Sequence, residues 1–129
     1  MKSHESQEDY LEAILKLSEN SNEVHAVDVA NELQYSKASV SVAMKKLRTA
    51  GYATVSDNGA IFLTESGEEI AQAVYYRHKT LSSFFEGMGV SHEVASEDAC
   101  RIEHYLSEET FTALINHIEH HKELEKCCN

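Results

Sequence analysis

Apolar positions along this chain recur mostly at helical spacing. In SQEDYLEAILKLSEN, residues 6–20, Tyr10, Ile14 and Leu17 fall at i, i+4 and i+7, and Leu11 with Leu15 widens the stripe. The pattern predicts a first helix, with Ser6 and Asp9 placed as in a capping box. AVDVANELQYSKASVSVAMKKLRTAGY predicts two short helices about a tight turn. The first covers about residues 27–33, with Val29, Ala30 and Leu33 inward, and the turn lies at Gln34-Tyr35-Ser36. Ser36 caps the second, whose inward stripe is Val40, Met44 and Leu47, and Gly51 ends it.

Two β-favouring runs then flank Asp57-Asn58-Gly59, and Asn-Gly is a strong short-hairpin signal. Thr64 is placed to cap a long helix over about residues 65–86, rich in Ile70, Ala71, Val74, Leu81, Phe84 and Phe85. GMGV, residues 87–90, breaks it. A helix through ACRIEHYL follows, and the last helix carries Phe111, Leu114, Ile115 and Ile118 on one stripe. Helix, helix, turn, helix, hairpin is the order of a winged helix-turn-helix. The chain is therefore predicted to be mainly α, with a domain boundary near residue 64.

Composition agrees with long helices: among 129 residues there is no proline and only five glycines. No apolar run approaches the roughly 18 residues of a membrane span, and the polar N-terminus has no signal-peptide core, so a cytoplasmic protein is expected. Three cysteines are too few for a disulfide framework and read as thiols or metal ligands.

Charge changes the picture. The formal net charge of −11 opposes non-specific binding to nucleic acid, yet residues 34–56 hold Lys37, Lys45, Lys46 and Arg48 with no acid. That island is +4, which leaves the other 106 residues at −15. It coincides with the helix that a winged helix-turn-helix inserts into the major groove. The candidate DNA-contacting residues are Ser36, Lys37, Ser39, Ser41, Lys45 and Lys46. Hydroxyls and lysines suit phosphate contact and close approach, whereas bidentate base reading calls for Arg or Asn.

The candidate chemistry lies in EDACRIEHYLS, residues 97–107. Cys100, Glu103 and His104 at i, i+3 and i+4 would share one helix face. Asp9 and Glu12 share a face of the first helix, and His78 stands in the apolar long helix. If the three helices converge, six donors meet. Packing three carboxylates together is unfavourable without a cation, and six N, O and S donors exceed a closed tetrahedral zinc site. Oxygen and imidazole suit Mn(II), and thiolate moves the preference toward Fe(II).

The chain resembles the DtxR/MntR family of metal-dependent bacterial repressors over nearly its whole length. SQEDYLEAILKL, VANELQYSKASVSVAMKKL, IFLTESGEEIA, YYRHKTL and DACRIEHYLSEET carry the likeness. The resemblance implies a winged-helix DNA-binding domain, residues 1–64, and an α-helical metal-binding and dimerisation domain, residues 65–129. It implies a homodimer on two-fold operator DNA, activated by Fe(II) or Mn(II), with one or two ions per chain. The implied ligands are Asp9, Glu12, His78, Cys100, Glu103 and His104. The manganese-sensing branch usually has Glu where this chain has Cys100, and the iron-sensing branch usually has Met where it has Asp9, so the chain is a hybrid. Ser82 replaces the Glu of the iron branch's ancillary site. Fe(II) is favoured slightly, on the thiolate.

Three further expectations complete the reading. Ile102, Tyr105, Leu106, Phe111, Leu114 and Ile118 are expected to form the dimer face. His117, His120, His121, Cys127 and Cys128 could bind a soft metal, but a frayed helix end is the plainer reading. The rival functions are a protein-binding winged helix with a structural zinc, and an enzyme with Cys100 as nucleophile and His104 or His78 as base.

Overall fold

The computed structural model describes the backbone of residues 2–128 and the side chains of residues 7–121. It divides into two units, Met1–Tyr75 and Tyr76–Asn129, with the boundary inside one helix.

In the first unit, α1 (Lys2–Asn20) buries Tyr10, Leu11, Ile14 and Leu15 along one stripe, as the spacing predicts. It begins at Lys2, so Ser6 lies inside the helix and is no cap; its side chain is outside the described residues. α1 packs on α2 (Ala26–Leu33) and α3 (Lys37–Thr49). Val29, Val40 and Leu47 meet it in a single core, and burying each such side chain contributes about 1.5–3 kcal/mol. Tyr10 sits there beside Tyr35, with ring centroids 5.7 Å apart. Burial above all, then Tyr35 and Asp9, raises its phenol above the usual tyrosine range and keeps it neutral.

The turn between α2 and α3 is closed by Gln34 in the left-handed region (φ 58°) and by Tyr35 N–H donating to the Ala30 carbonyl at 3.1 Å. Ser36 caps α3: Ser39 N–H donates to Ser36 Oγ at 3.1 Å. Gly51, at φ +83°, turns the chain out of α3, a conformation that costs glycine little.

Strands β1 (Ala53–Val55) and β2 (Ile61–Leu63) pair antiparallel, with Ala53 opposite Leu63 and Val55 opposite Ile61. The hairpin is present, but its loop spans residues 56–60 and is not a two-residue Asn-Gly turn. Gly59 alone takes the positive φ, and Asn58 Oδ1 instead accepts from Ala60 N–H at 3.2 Å. Asn58 Nδ2 also donates to Glu23 Oε1 at 3.0 Å, which ties the loop to the segment before α2.

Helix α4 (Glu65–Gly87) begins as expected at Thr64, whose Oγ1 accepts from Gly67 N–H at 3.2 Å and donates to the Gly51 carbonyl at 2.6 Å. Its Ala71 completes the core of the first unit.

In the second unit, Leu81 of α4 packs with Ala99 of α5 (His92–Ile102) and Phe111 of α6 (Glu108–Cys128). The helix predicted to run through Leu106 stops at Ile102. Two side chains, Arg77 and Ser107, account for this. Arg77 Nη1 takes the carbonyls of Glu103 (3.1 Å) and Leu106 (2.9 Å), and Ser107 caps α6 through Thr110 N–H at 3.1 Å. The residues of the expected dimer stripe divide between packing inside the unit and exposure. Ile102, Leu106, Phe111 and Leu114 pack within the unit, whereas Tyr105 is 56% exposed.

Candidate metal centre and nucleic-acid interface

The donors of the second unit gather around one carboxylate. His78 comes from α4, while Glu103 is the C-cap of α5 and His104 follows it in the turn. Glu103 keeps helical angles (φ −59°, ψ −29°), so the predicted i, i+3 relation to Cys100 survives even though the helix ends. Glu103 is 1% exposed. Its Oε2 lies 3.0 Å from His78 Nδ1, and its Oε1 lies 3.4 Å from His104 Nε2. His78 Nε2 lies 3.4 Å from Ser96 Oγ. Cys100, on the last turn of α5, is exposed.

A buried carboxylate needs a positive partner or several hydrogen bonds. Here His78 is within hydrogen-bond distance of one carboxylate oxygen and His104 lies close to the other, and the same three groups are hard and borderline donors for a divalent cation. The arrangement thus fits a metal. In the first unit, Asp9 and Glu12 lie three apart on α1, Asp9 partly buried and Glu12 5% exposed. Lys16 Nζ stands 3.7 Å from Glu12 Oε2 and 5.6 Å from the centre of the Tyr75 ring. The six predicted ligands therefore fall as a pair in one unit and four in the other.

Arg77 is the residue that sequence reasoning missed. Besides the two carbonyls, its Nη2 donates to Glu108 Oε1 at 2.6 Å, and its guanidinium lies 4.9 Å from the centre of the Phe111 ring. It clamps the turn that carries Glu103 and His104. Its position directly before His78 in YYRHK was the one available signal.

Ser36, Lys37, Ser39, Ser41, Lys45 and Lys46 are all exposed, while Val40, Met44 and Leu47 hold the opposite side of α3 in the core. Ser36 Oγ donates to Ser39 Oγ at 3.0 Å, so the Ser39 proton is directed elsewhere. Two residues join the predicted set. Val42 is exposed on α3, and Arg48 lines a cleft of about 630 Å³ with Lys45, Thr49 and β1 residues Thr54 and Val55. That cleft joins the helix to the wing and carries two cations.

Comparison with known proteins decides the family. Residues 2–61 match the DNA-binding domain described as "Iron dependent repressor, N-terminal DNA binding domain". Residues 64–127 match "Iron dependent repressor, metal binding and dimerisation domain". The chain belongs to the iron-dependent repressor family. The transcriptional regulator MntR of Escherichia coli is 38% identical over 106 residues, 82% of this chain and 68% of that relative. An uncharacterised HTH-type transcriptional regulator of Methanocaldococcus jannaschii is 38% identical over 112 residues, 85% of this chain and 90% of its own. A manganese-dependent transcriptional repressor solved in complex with manganese superposes with a TM-score of 0.77 at 26% identity, over 84% of this chain and 50% of that one. The chain thus spans about half the length of that solved relative. The family and these relatives are transcriptional regulators, so the reading of Cys100 as an enzymatic nucleophile falls away. Among the described residues no helix is long and apolar enough to cross a membrane.

Proposed function

We propose that this chain is a metal-activated repressor that binds two-fold operator DNA as a homodimer, with Fe(II) or Mn(II) as effector. The observation that carries the proposal is the buried Glu103 carboxylate between the imidazoles of His78 and His104. It lies within a domain whose family binds metal and dimerises. Residues 1–64 serve DNA and residues 65–129 serve metal and dimerisation. His78, Cys100, Glu103 and His104 hold the ion from the second unit, and Asp9 and Glu12 supply the acidic donors of α1. A bound cation would offset the negative charge of Asp9, Glu12 and Glu103. Cys100 tilts the choice toward Fe(II), since thiolate prefers softer ions. Lys37, Ser39, Ser41, Lys45, Lys46 and Arg48 engage the phosphate backbone, and Ser36 sets the helix end that approaches it. A regulator of this kind works in the cytoplasm, where the DNA is. The exposed apolar side chains of the second unit outside the groove between α4 and α6, Val94 and Tyr105, are the candidates for contact with a second copy.

Operator retardation with purified protein, run anaerobically with each ion in turn, tests this. Retardation is expected with Fe(II) or Mn(II) and is expected to vanish with chelator. Glu103→Ala is expected to remain a folded dimer that no longer responds to either ion. Tight, sequence-specific binding in chelator would refute the proposal, as would a wild-type metal response in the variant.

A further inference from the structure

We infer that His117 and His121 on α6 form a second metal site, for a late first-row divalent cation such as Zn(II), Ni(II) or Cu(II). The inference does not rest on the regulatory reading. The two residues are one helical turn apart and both are exposed. Their rings are nearly parallel, 14° between planes, with centroids 6.5 Å apart. Two imidazoles that share one ion at about 2.0–2.1 Å place their centroids roughly 5 Å apart. The rings are stacked as they stand, so binding one ion takes a change of side-chain torsions that turns both in-plane nitrogen lone pairs toward it, a motion open to exposed side chains on a ps–ns timescale. Both rings line an open groove of about 710 Å³ with Lys79, Thr80 and Ser83 of α4 and Glu119 of α6; the groove has room for the remaining ligands of the ion, water included, and the Glu119 carboxylate offsets the Lys79 ammonium there.

The donor chemistry selects the ion. A pair of imidazoles, with the Glu119 carboxylate on the same groove, follows the general order of divalent affinities, in which Ni, Cu and Zn exceed Mn and Fe. The pair therefore answers to ions other than the proposed effector. An ion bridging one turn also holds that turn in helical form, so occupancy stabilises the C-terminal half of α6. Cys127 and Cys128 follow on the same helix, but their side chains lie outside the described residues.

Calorimetric titration of the full chain with Zn(II), alongside Cu(II) electron paramagnetic resonance, tests the site. His117→Ala/His121→Ala is expected to lose one Zn(II) equivalent per chain, or at least about tenfold in its affinity, with circular dichroism unchanged. The Cu(II) spectrum is expected to show two nitrogen ligands that the double variant loses. Cys127→Ser/Cys128→Ser is expected to keep that equivalent, and Glu103→Ala is expected to keep it while changing the other site. The inference is overturned if the double histidine variant binds as many ions as tightly as wild type. It is equally overturned if the equivalent disappears with the cysteines, or with His120→Ala alone.

Discussion

Arg77 shows how one side chain can decide the shape of a ligand-bearing turn. Its guanidinium satisfies the carbonyls of Glu103 and Leu106, pairs with Glu108, and stacks on Phe111. Glu108 is 88% exposed, so that ion pair contributes little. The two carbonyl bonds, made by a charged donor, are worth about 1.5–3 kcal/mol each, and they hold the backbone on either side of His104. Both carbonyls are bonded by the one nitrogen Nη1, while Nη2 reaches Glu108 and the guanidinium lies over Phe111; a lysine ammonium has donors for the carbonyls but lacks the second nitrogen and the planar face. Arg77→Ala is therefore expected to weaken Mn(II) affinity at least about tenfold, and Arg77→Lys to recover only part of it. Mn(II) electron paramagnetic resonance on refolded, dimeric protein measures this. Wild-type affinity in the alanine variant would leave Arg77 as ordinary packing.

Most elements were legible from the pattern of the chain because their signals are local. The α3 cap at Ser36, the α4 cap at Thr64 and the exit at Gly51 each depend on a hydroxyl or a glycine at a fixed offset. The buried faces of α1, α3 and α4 follow from helical periodicity alone. The missed features depend on partners distant in sequence. The end of α5 is set by Arg77, some 26 residues earlier, and the wing loop is held by Glu23, 35 residues before Asn58. The six proposed ligands were legible as residue types, and Glu103 between two imidazoles is visible only in three dimensions. Gly67 is a case of the same kind. It looks like a poor choice near the start of a helix, yet a Cβ there would lie 2.0 Å from the Tyr52 carbonyl oxygen. The start of α4 thus presses directly on backbone leading into the wing. Gly67→Ala is expected to destabilise the first unit by about 1–3 kcal/mol, the usual cost of forcing extra atoms into a packed site. Urea unfolding would show a lower midpoint. An unchanged midpoint would mean that the junction yields without cost.

For the whole molecule, the proposed function is a statement about coupling between two bound ligands. A cation activates DNA binding only through its greater affinity for the DNA-competent state, and an ion that bound both states equally would shift nothing. Moving such an equilibrium from 1:99 to 99:1 takes a preference of about 10⁴-fold, whereas typical couplings are about 5–150-fold. The effect of the ion must therefore be reciprocal and bounded. If Fe(II) or Mn(II) tightens operator binding by some factor, operator DNA must tighten binding of that ion by the same factor. The salt dependence separates this coupling from plain charge neutralisation. The phosphate contacts of α3 set the slope of log affinity against log salt at about −0.9 per phosphate for duplex DNA, so Arg48→Ala should reduce that slope by about one unit. Metal that acts through the conformation of the dimer raises operator affinity at every salt concentration and exceeds its effect on random duplex. Metal that acts only by lowering the negative charge of an acidic protein raises both alike and fades as salt rises. Paired titrations, DNA against protein with and without ion and ion against protein with and without operator, give the two factors. Unequal factors, or equal gains for operator and random duplex, would exclude the coupled repressor and leave the ion as a screening charge.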